Sequence, residues 1–503
     1  MAVTVIGCHS FFQRHLGDPD LVWISNSPPV SATLPLRYAT RPKYCLALSG
    51  GGIRSAAVAL GALQALHQSR RLATFDYVTS VSGSGFAVYG LLDSMYHGEG
   101  DLDELLAEDS AYVVSIEPRA QIISTIDLAG RAIEVPLWIA LGYTSYAMEG
   151  RRGGVLQGTV TAPYSRAIHR AFGSRPLDDA ATHPVLLSSL SEGARDGFPY
   201  PIFVTSSSAS DSAPPDGHHY PIADLFELSP EWIGSKATGY WRTDRTQITL
   251  SQSVAISAAA PDFPAEARNR WSPVRDGLRL LRVAWGASLE FETGDERFLT
   301  DGGFVDNLGI SPLIARHCEH VLAIDATADP DARFKDYGGL ISKSKCEGTI
   351  ISELSSRSTR EAPNPSPGGG WSLASHVWDG EARHGAHRTS ITLLKLGTHP
   401  NSVARYPHET RGYLENNWRR RWKGVPGCRG SGLFEACAFP LESTFDQDFA
   451  APEFRAYRLL GHYLVEDWEF RGAWDGAGMP RESSPNSLSP VGSVGSRGAT
   501  TPR

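Results

Sequence analysis

The segment Tyr44-Cys-Leu-Ala-Leu-Ser49-Gly50-Gly51-Gly52-Ile53-Arg54-Ser55 constrains this chain more than any other. Its first five residues form an unbroken apolar run with the character of a buried strand, and the spacing from Ile53 onward is helical. A strand must therefore pass into a helix through three glycines. Glycines at such a turn let the backbone come close to an anion, and the start of the helix directs unpaired N–H groups toward it. Ala56, Ala57, Ala59, Gly61 and Ala62 are small enough for that helix to pack tightly on a sheet. A nucleotide phosphate would call for Gly-Lys-Ser/Thr at the end of the loop, or for Gly-x-Gly-x-x-Gly with an acidic residue about twenty positions on. Neither is present. Two readings stay open: a purely structural turn, and a cradle for an acyl oxyanion, whose developing charge calls for two or three fixed N–H donors.

A second unit, Phe75-Asp-Tyr-Val-Thr-Ser80-Val81-Ser82-Gly83-Ser84-Gly85-Phe86, feeds an aromatic and β-branched run into a turn of small residues followed by helical spacing. That pattern fits a serine exposed on a sharp strand-to-helix turn. Ser82 falls at the strand end. Ser84, the other candidate, falls in the first helical turn, where a hydroxyl caps backbone N–H groups. A third unit, Arg297-Phe-Leu-Thr300-Asp301-Gly302-Gly303, sets a carboxylate at a strand end before two glycines. An ordinary aspartate is too weak a base at neutral pH, and burial in a dry pocket would strengthen it. The plainer alternatives are an Asp-Gly turn, or a cap for a helix beginning near Pro312.

These three units resemble the patatin-like phospholipase family. Ser49 to Arg54 is similar to its Gly-Gly-Gly-x-Arg loop, Ser82-Gly83-Ser84 to the Ser-Gly-Ser of the cytosolic, group IV type, and Asp301-Gly302-Gly303 to the Asp-Gly-Gly/Ala of patatins. The resemblance implies Ser82 as nucleophile, Asp301 as base, and the amides of Gly51 and Gly52 as oxyanion donors. Gly50, Arg54 and Gly83 would contact substrate, with Arg54 steadying a phosphate or the loop itself. Ser80 departs from the pattern, because both subgroups have glycine two positions before the nucleophile. The implied activity is lipid acyl hydrolysis of phospholipase A or lysophospholipase type. Acyl transfer or neutral-lipid cleavage on the same pair, and non-catalytic lipid binding, are the alternatives. A Ser-Asp-His triad is the rival arrangement for a hydrolase, and its loop and elbow differ from those here.

Further strands are expected at Pro201–Ser206, His320–Asp325 and Ile391–Leu396, with a small-residue helix from Ser253 toward Pro264 and a closing helix over Ala451–Phe470 packed back on the sheet. Strands alternating with helices predict a three-layer α/β/α sandwich with a central, mostly parallel sheet and helical insertions. The organisation expected is an N-terminal extension over 1–39 and a catalytic core over 40–330 with a helical insertion at about 94–190. A C-terminal part over 331–475, with a flexible loop at about 355–387, and a disordered tail over 476–503 complete it.

A net charge of −8 gives no support to a nucleic-acid role. The six cysteines are scattered, which argues against a zinc site and a disulfide scaffold and reads Cys45 as a buried thiol. His218 and His219 have no spaced partners for a metal. No cofactor is expected. Calcium is not implied either, since about forty residues before the loop are too few for a lipid-docking calcium domain. The start of the chain has no signal-peptide pattern and no run is long enough to cross a bilayer, so the expected location is cytoplasmic, with peripheral contact to membranes. Val135–Tyr143 and Trp418–Lys423 are candidate interfacial segments, with a buried helix and a solvated helix face as the plainer readings.

Overall fold

The computed structural model describes residues 22–23, 30–31, 33–37, 40–120, 161–175, 184–193, 197–207, 224–259, 287–290, 296–329, 333–346, 348–356, 375–397, 405–413, 439–440 and 449–470. Val135–Tyr143, Gly150–Gly154, His218, His219, Trp418–Lys423 and the tail over 476–503 lie outside the described residues.

The apolar runs read from the sequence form the parallel centre of one sheet. In spatial order it holds β4 (Tyr200–Ser207), β3 (Tyr77–Val81), β2 (Tyr44–Leu48), β10 (His320–Asp325) and β14 (His387–Lys395). Antiparallel strands extend it. β13 (Val377–His384) pairs with β14, and β11 (Thr349–Ile351) and β12 (Ser355–Ser356) pair with β13. At the other side β9 (Glu296–Asp301) pairs with β4, β8 (Ala287–Glu290) with β9, and β1 (Val22–Trp23) runs parallel to β8. A meander of β5 (Asp224–Leu228), β6 (Trp232–Ser235) and β7 (Gly239–Arg242) also builds on β4.

Both faces of the central strands are covered, so they read as continuous apolar runs rather than alternating ones. Leu46, Leu48, Val78, Phe203, Leu322 and Ile324 point into one core. That core is completed by α1 (Gly52–Gln68), α2 (Ser84–Tyr96), α3 (Ala111–Arg119), α4 (Thr161–Phe172), α5 (Leu250–Ser257) and α8 (Ala451–Phe470). Cys45, Ala47, Tyr77, Val321 and Ala323 point the opposite way, onto α6 (Ser311–Ala315) and α7 (Lys335–Cys346). The period-2 alternation thus separates two helical layers, and the three-layer sandwich with a mostly parallel centre is the fold.

Two expectations change and a third is refined. α8 meets the sheet along β14, as expected, but packs chiefly on α1: a Cβ on Gly61 would overlap the Arg458 carbonyl, and one on Gly461 the Val58 carbonyl. Glycine at both positions lets the two backbones approach within a distance no side chain allows. Residues 377–384, inside the span read as a flexible loop, form β13 along the whole of β14. Its polar composition hides it, because only Val377 and Ala382 of that strand are buried. Cys45, read as a free thiol, is disulfide-bonded to Cys318. The parallel pairing of β2 with β10 brings their Cα atoms to 6.2 Å across a sequence separation of 273 residues, within the span a disulfide bridges.

Candidate active site

The sheet register itself brings Ser82 and Asp301 together. One edge of β4 is occupied by β5 from Phe203 to Ser207. The opposite edge is shared end to end: β3 pairs with Tyr200–Val204 and β9, running the other way, pairs with Thr205–Ser207. β3 stops at Val81 opposite Val204, and β9 stops at Asp301 opposite Thr205. The residue that follows Val81 therefore meets the end of β9 head-on. Ser82 Oγ donates to Asp301 Oδ2 at 2.8 Å.

Ser82 has φ of 53°, a left-handed conformation that side chains other than glycine rarely adopt. Its surroundings hold it there. The Ser82 amide donates to Ser257 Oγ at 3.0 Å, and Ser257 Oγ donates in turn to the Val204 carbonyl at 2.6 Å. Gly83 has no room for a side chain, since a Cβ there would overlap the Gly52 carbonyl. Ser84 is spent on the turn: its Oγ accepts from the Val81 amide at 3.0 Å and lies 2.9 Å from the Leu48 and Val81 carbonyls. Ser80 fits the tight position, but its buried Oγ has no hydrogen-bond partner among the described residues.

Asp301 is 4% exposed. Its Oδ1 accepts from the Gly303 amide at 2.7 Å, its carbonyl accepts from Ser206 Oγ at 2.8 Å, and the Gly302 amide donates to the Ser257 carbonyl at 3.3 Å. Burial pushes the carboxyl up to about 6, against the opposing pull of its hydrogen bonds from Gly303 and Ser82. The cap near Pro312 belongs to Asp306 instead, whose Oδ2 accepts from the Ser311 amide at 2.6 Å.

The glycine loop lies against this pair. A Cβ added at Gly50 would come within 3.4 Å of Ser82 Cβ. The Ser49 and Gly50 amides are used by the fold, donating to the Ile324 and Asn307 carbonyls at 3.1 and 2.9 Å. The next two amides, of Gly51 and Gly52, meet no acceptor among the described residues. Gly51 and Gly52 have φ of 144° and 62°, a path that requires glycine. Arg54 is 1% exposed and its Nε donates to the Ala326 carbonyl at 2.8 Å, so of its two expected roles the geometry matches bracing the loop.

The sequence reading missed Ser206, Ser257 and Asn307. Asn307 stands in the third unit and Ser257 in the small-residue helix, but nothing local marks either as a partner of Ser82 or Gly50. No group of three or more His, Cys, Asp or Glu able to hold a metal occurs among the described residues. No described helix is long and apolar enough to cross a membrane.

No protein-family model matches the chain, and no curated protein matches it in sequence. In structure it is similar to human GIVD cytosolic phospholipase A2, with a TM-score of 0.51 and 12% identity over 86% of this chain and 61% of that one. The same enzyme in complex with methyl gamma-linolenyl fluorophosphonate gives a TM-score of 0.46, 14% identity and coverage of 86% and 58%. VipD from Legionella pneumophila gives 0.24, 15% identity and coverage of 65% and 56%. The first likeness is a likeness of fold, and the chain spans about three fifths of that enzyme's length; the other two carry no argument.

Proposed function

We propose that the chain is a serine carboxylic-ester hydrolase of patatin-like type, acting on the acyl esters of phospholipids or lysophospholipids. The observation that carries this reading is the 2.8 Å hydrogen bond from Ser82 Oγ to a buried Asp301 that no cation among the described residues influences. Asp301 takes the Ser82 proton as Oγ attacks the ester carbonyl, and the unspent amides of Gly51 and Gly52 receive the oxyanion. The alcohol leaves with the proton returned by Asp301, and water then repeats the sequence on the acyl enzyme. A carboxyl near 6 is charged at neutral pH yet a far better proton acceptor than a solvated aspartate. Gly50 and Gly83 keep side chains away from the serine, while Arg54 acts through the loop. In this reading the enzyme works in the cytoplasm on peripheral contact with lipid, the Cys45–Cys318 bond being fully buried from solvent reductants.

Incubating the parent chain and Ser82→Ala with a mixed lipid extract, and identifying released fatty acids and lyso-lipids by mass spectrometry, tests the reading. Release of both by the parent and of neither by the variant is expected. Equal release would end it.

A further inference from the structure

The glycine loop and the Asp301 turn come from distant parts of the chain, and one side chain is wedged between them. A Cβ on Gly50 would overlap Asn307 Oδ1, and one on Gly303 would come within 2.8 Å of the same atom. The Asn307 carbonyl is also the acceptor of the Gly50 amide at 2.9 Å. Asn307 therefore touches the backbone of both halves of the site at once, without reaching Ser82 or Asp301 by a hydrogen bond of its own.

What orients Asn307 lies deeper. Its Nδ2 donates to Asp336 Oδ2 at 3.1 Å, from the start of α7. Behind Asp336 stands a buried polar knot at the ends of β10 and β14. Lys395 Nζ, fully buried, donates to Asp325 Oδ2 and to Thr327 Oγ1, both at 2.9 Å. Asp325 Oδ1 accepts from the Thr327 amide at 2.9 Å. Between Asp325 and Thr327 lies Ala326, whose amide donates to Ser49 Oγ at 2.8 Å and whose carbonyl accepts Arg54 Nε. The loop is thus gripped from two sides, by Ala326 and by Asn307, and both grips lead to one set of buried charges.

Resting on the hydrolase reading above, we propose that Asn307, oriented by Asp336, is a positioning residue that sets the Gly51 and Gly52 amides in register with Ser82 and Asp301. An amide is required at 307 because the position must offer a donor to Asp336 while sitting beside two glycine backbones. Burial and the neighbouring Asp325 charge already push Asp336 up, and the bond from Asn307 opposes that push. Lys395 is the nearby cation, and a second carboxylate at 307 would face Asp336 with no donor between them.

The test compares the parent chain with Ser82→Ala, Asn307→Asp and the exchanged pair Asn307→Asp/Asp336→Asn, using p-nitrophenyl butyrate as the soluble ester. A misplaced catalytic group costs roughly 100-fold, so Asn307→Asp should lose about that much kcat at pH 8 while KM stays within about threefold. The deficit relative to the parent should shrink as pH falls, because one proton shared by the two facing carboxyls remakes the bond. Exchanging donor and acceptor in the double variant should recover at least about tenfold of the loss, a rescue that uniform destabilisation would not produce. Asn307→Asp with parent kcat, or a pH-independent deficit that the exchanged pair leaves unrepaired, would overturn the assignment. Should the single variant fail to fold, the exchanged pair decides alone: turnover below about 1% of the parent refutes it. Full turnover in Ser82→Ala would instead bring down the hydrolase reading together with this one, whereas an inactive Ser82→Ala beside an unaffected Asn307→Asp removes this one only.

Discussion

Two kinds of buried carboxylate coexist in this sheet. Glu227, on β5, is 3% exposed and receives both terminal nitrogens of Arg316, at 3.1 and 2.5 Å. Asp325, at the end of β10, is 2% exposed and receives Lys395. Asp301, at the end of β9, is as deeply buried, yet among the described residues only a serine hydroxyl and one backbone amide donate to its carboxyl and no cation influences it. Burial with a cation fixes a charge and makes a structural tie. Burial without one leaves the charge costly and the proton wanted. The difference separates Glu227 and Asp325, which hold the fold, from Asp301, which is suited to proton transfer, although all three stand on strands of one sheet and none differs in residue type or depth enough to explain it.

If Asp301 and Ser82 act as one unit, Ser82→Ala should lower ester turnover by at least about 10⁴-fold, and adding Asp301→Asn should cost little more. Parent-like loss profiles that multiply would mean that the two groups act independently. Next in size is the structural pair. Glu227→Gln leaves the buried Arg316 guanidinium uncompensated and should destabilise the chain by about 3–5 kcal/mol in denaturant melts. A change under about 1 kcal/mol would place that pair with weak surface ion pairs instead.

Asp301→Asn should do the reverse. The folded-state value of about 6 lies above the unfolded value, so the native chain binds more protons between roughly pH 4 and 6 and loses stability as pH rises through that window. Above it the ionised carboxylate costs about 2–3 kcal/mol, which the neutral amide avoids. The variant should therefore melt higher than the parent at pH 8, and the gap should close as pH falls below about 4. A lower melting point at pH 8 would show that the carboxylate is stabilising and that the contrast with Glu227 is false. The smallest effect expected is at the helix crossing remote from the site. Gly461→Ala must push α8 off α1 and should cost about 1–3 kcal/mol in stability, with kcat unchanged in the fraction that remains folded.

Local patterning was enough to find the three turns as local structure. The apolar runs before Ser49 and Ser82 became β2 and β3, the helical spacing after them became α1 and α2, and Asp301 stands at the end of a strand as read. Such units are legible because strand, turn and helix signals are contiguous in sequence. What joins them is not contiguous. That β3 and β9 share one edge of β4 depends on registers set by residues far apart in the sequence, Val81 with Val204 and Thr205 with Asp301, and no periodicity encodes it. Ser257 acts through a hydroxyl that any serine offers, and Asn307 through a carbonyl and a carboxamide whose partners, Gly50 and Asp336, only the fold supplies, so nothing local marks either. Glu227 and Arg316, Cys45 and Cys318 are likewise ordinary residues until the sheet places them together. β13 escaped because a strand with only two buried residues has little apolar pattern to read.

The most direct measurement is the pH dependence of Ser82 phosphonylation by a fluorophosphonate, followed by intact and peptide mass in the parent and in Asp301→Asn. A single adduct is expected, on Ser82, forming at a rate that rises with pH to a plateau with its midpoint near the Asp301 value of about 6, and at least about 10³-fold slower in Asp301→Asn on that plateau. An adduct on Ser84, or Ser82 labelling that proceeds at the parent rate without the Asp301 carboxylate, would contradict it.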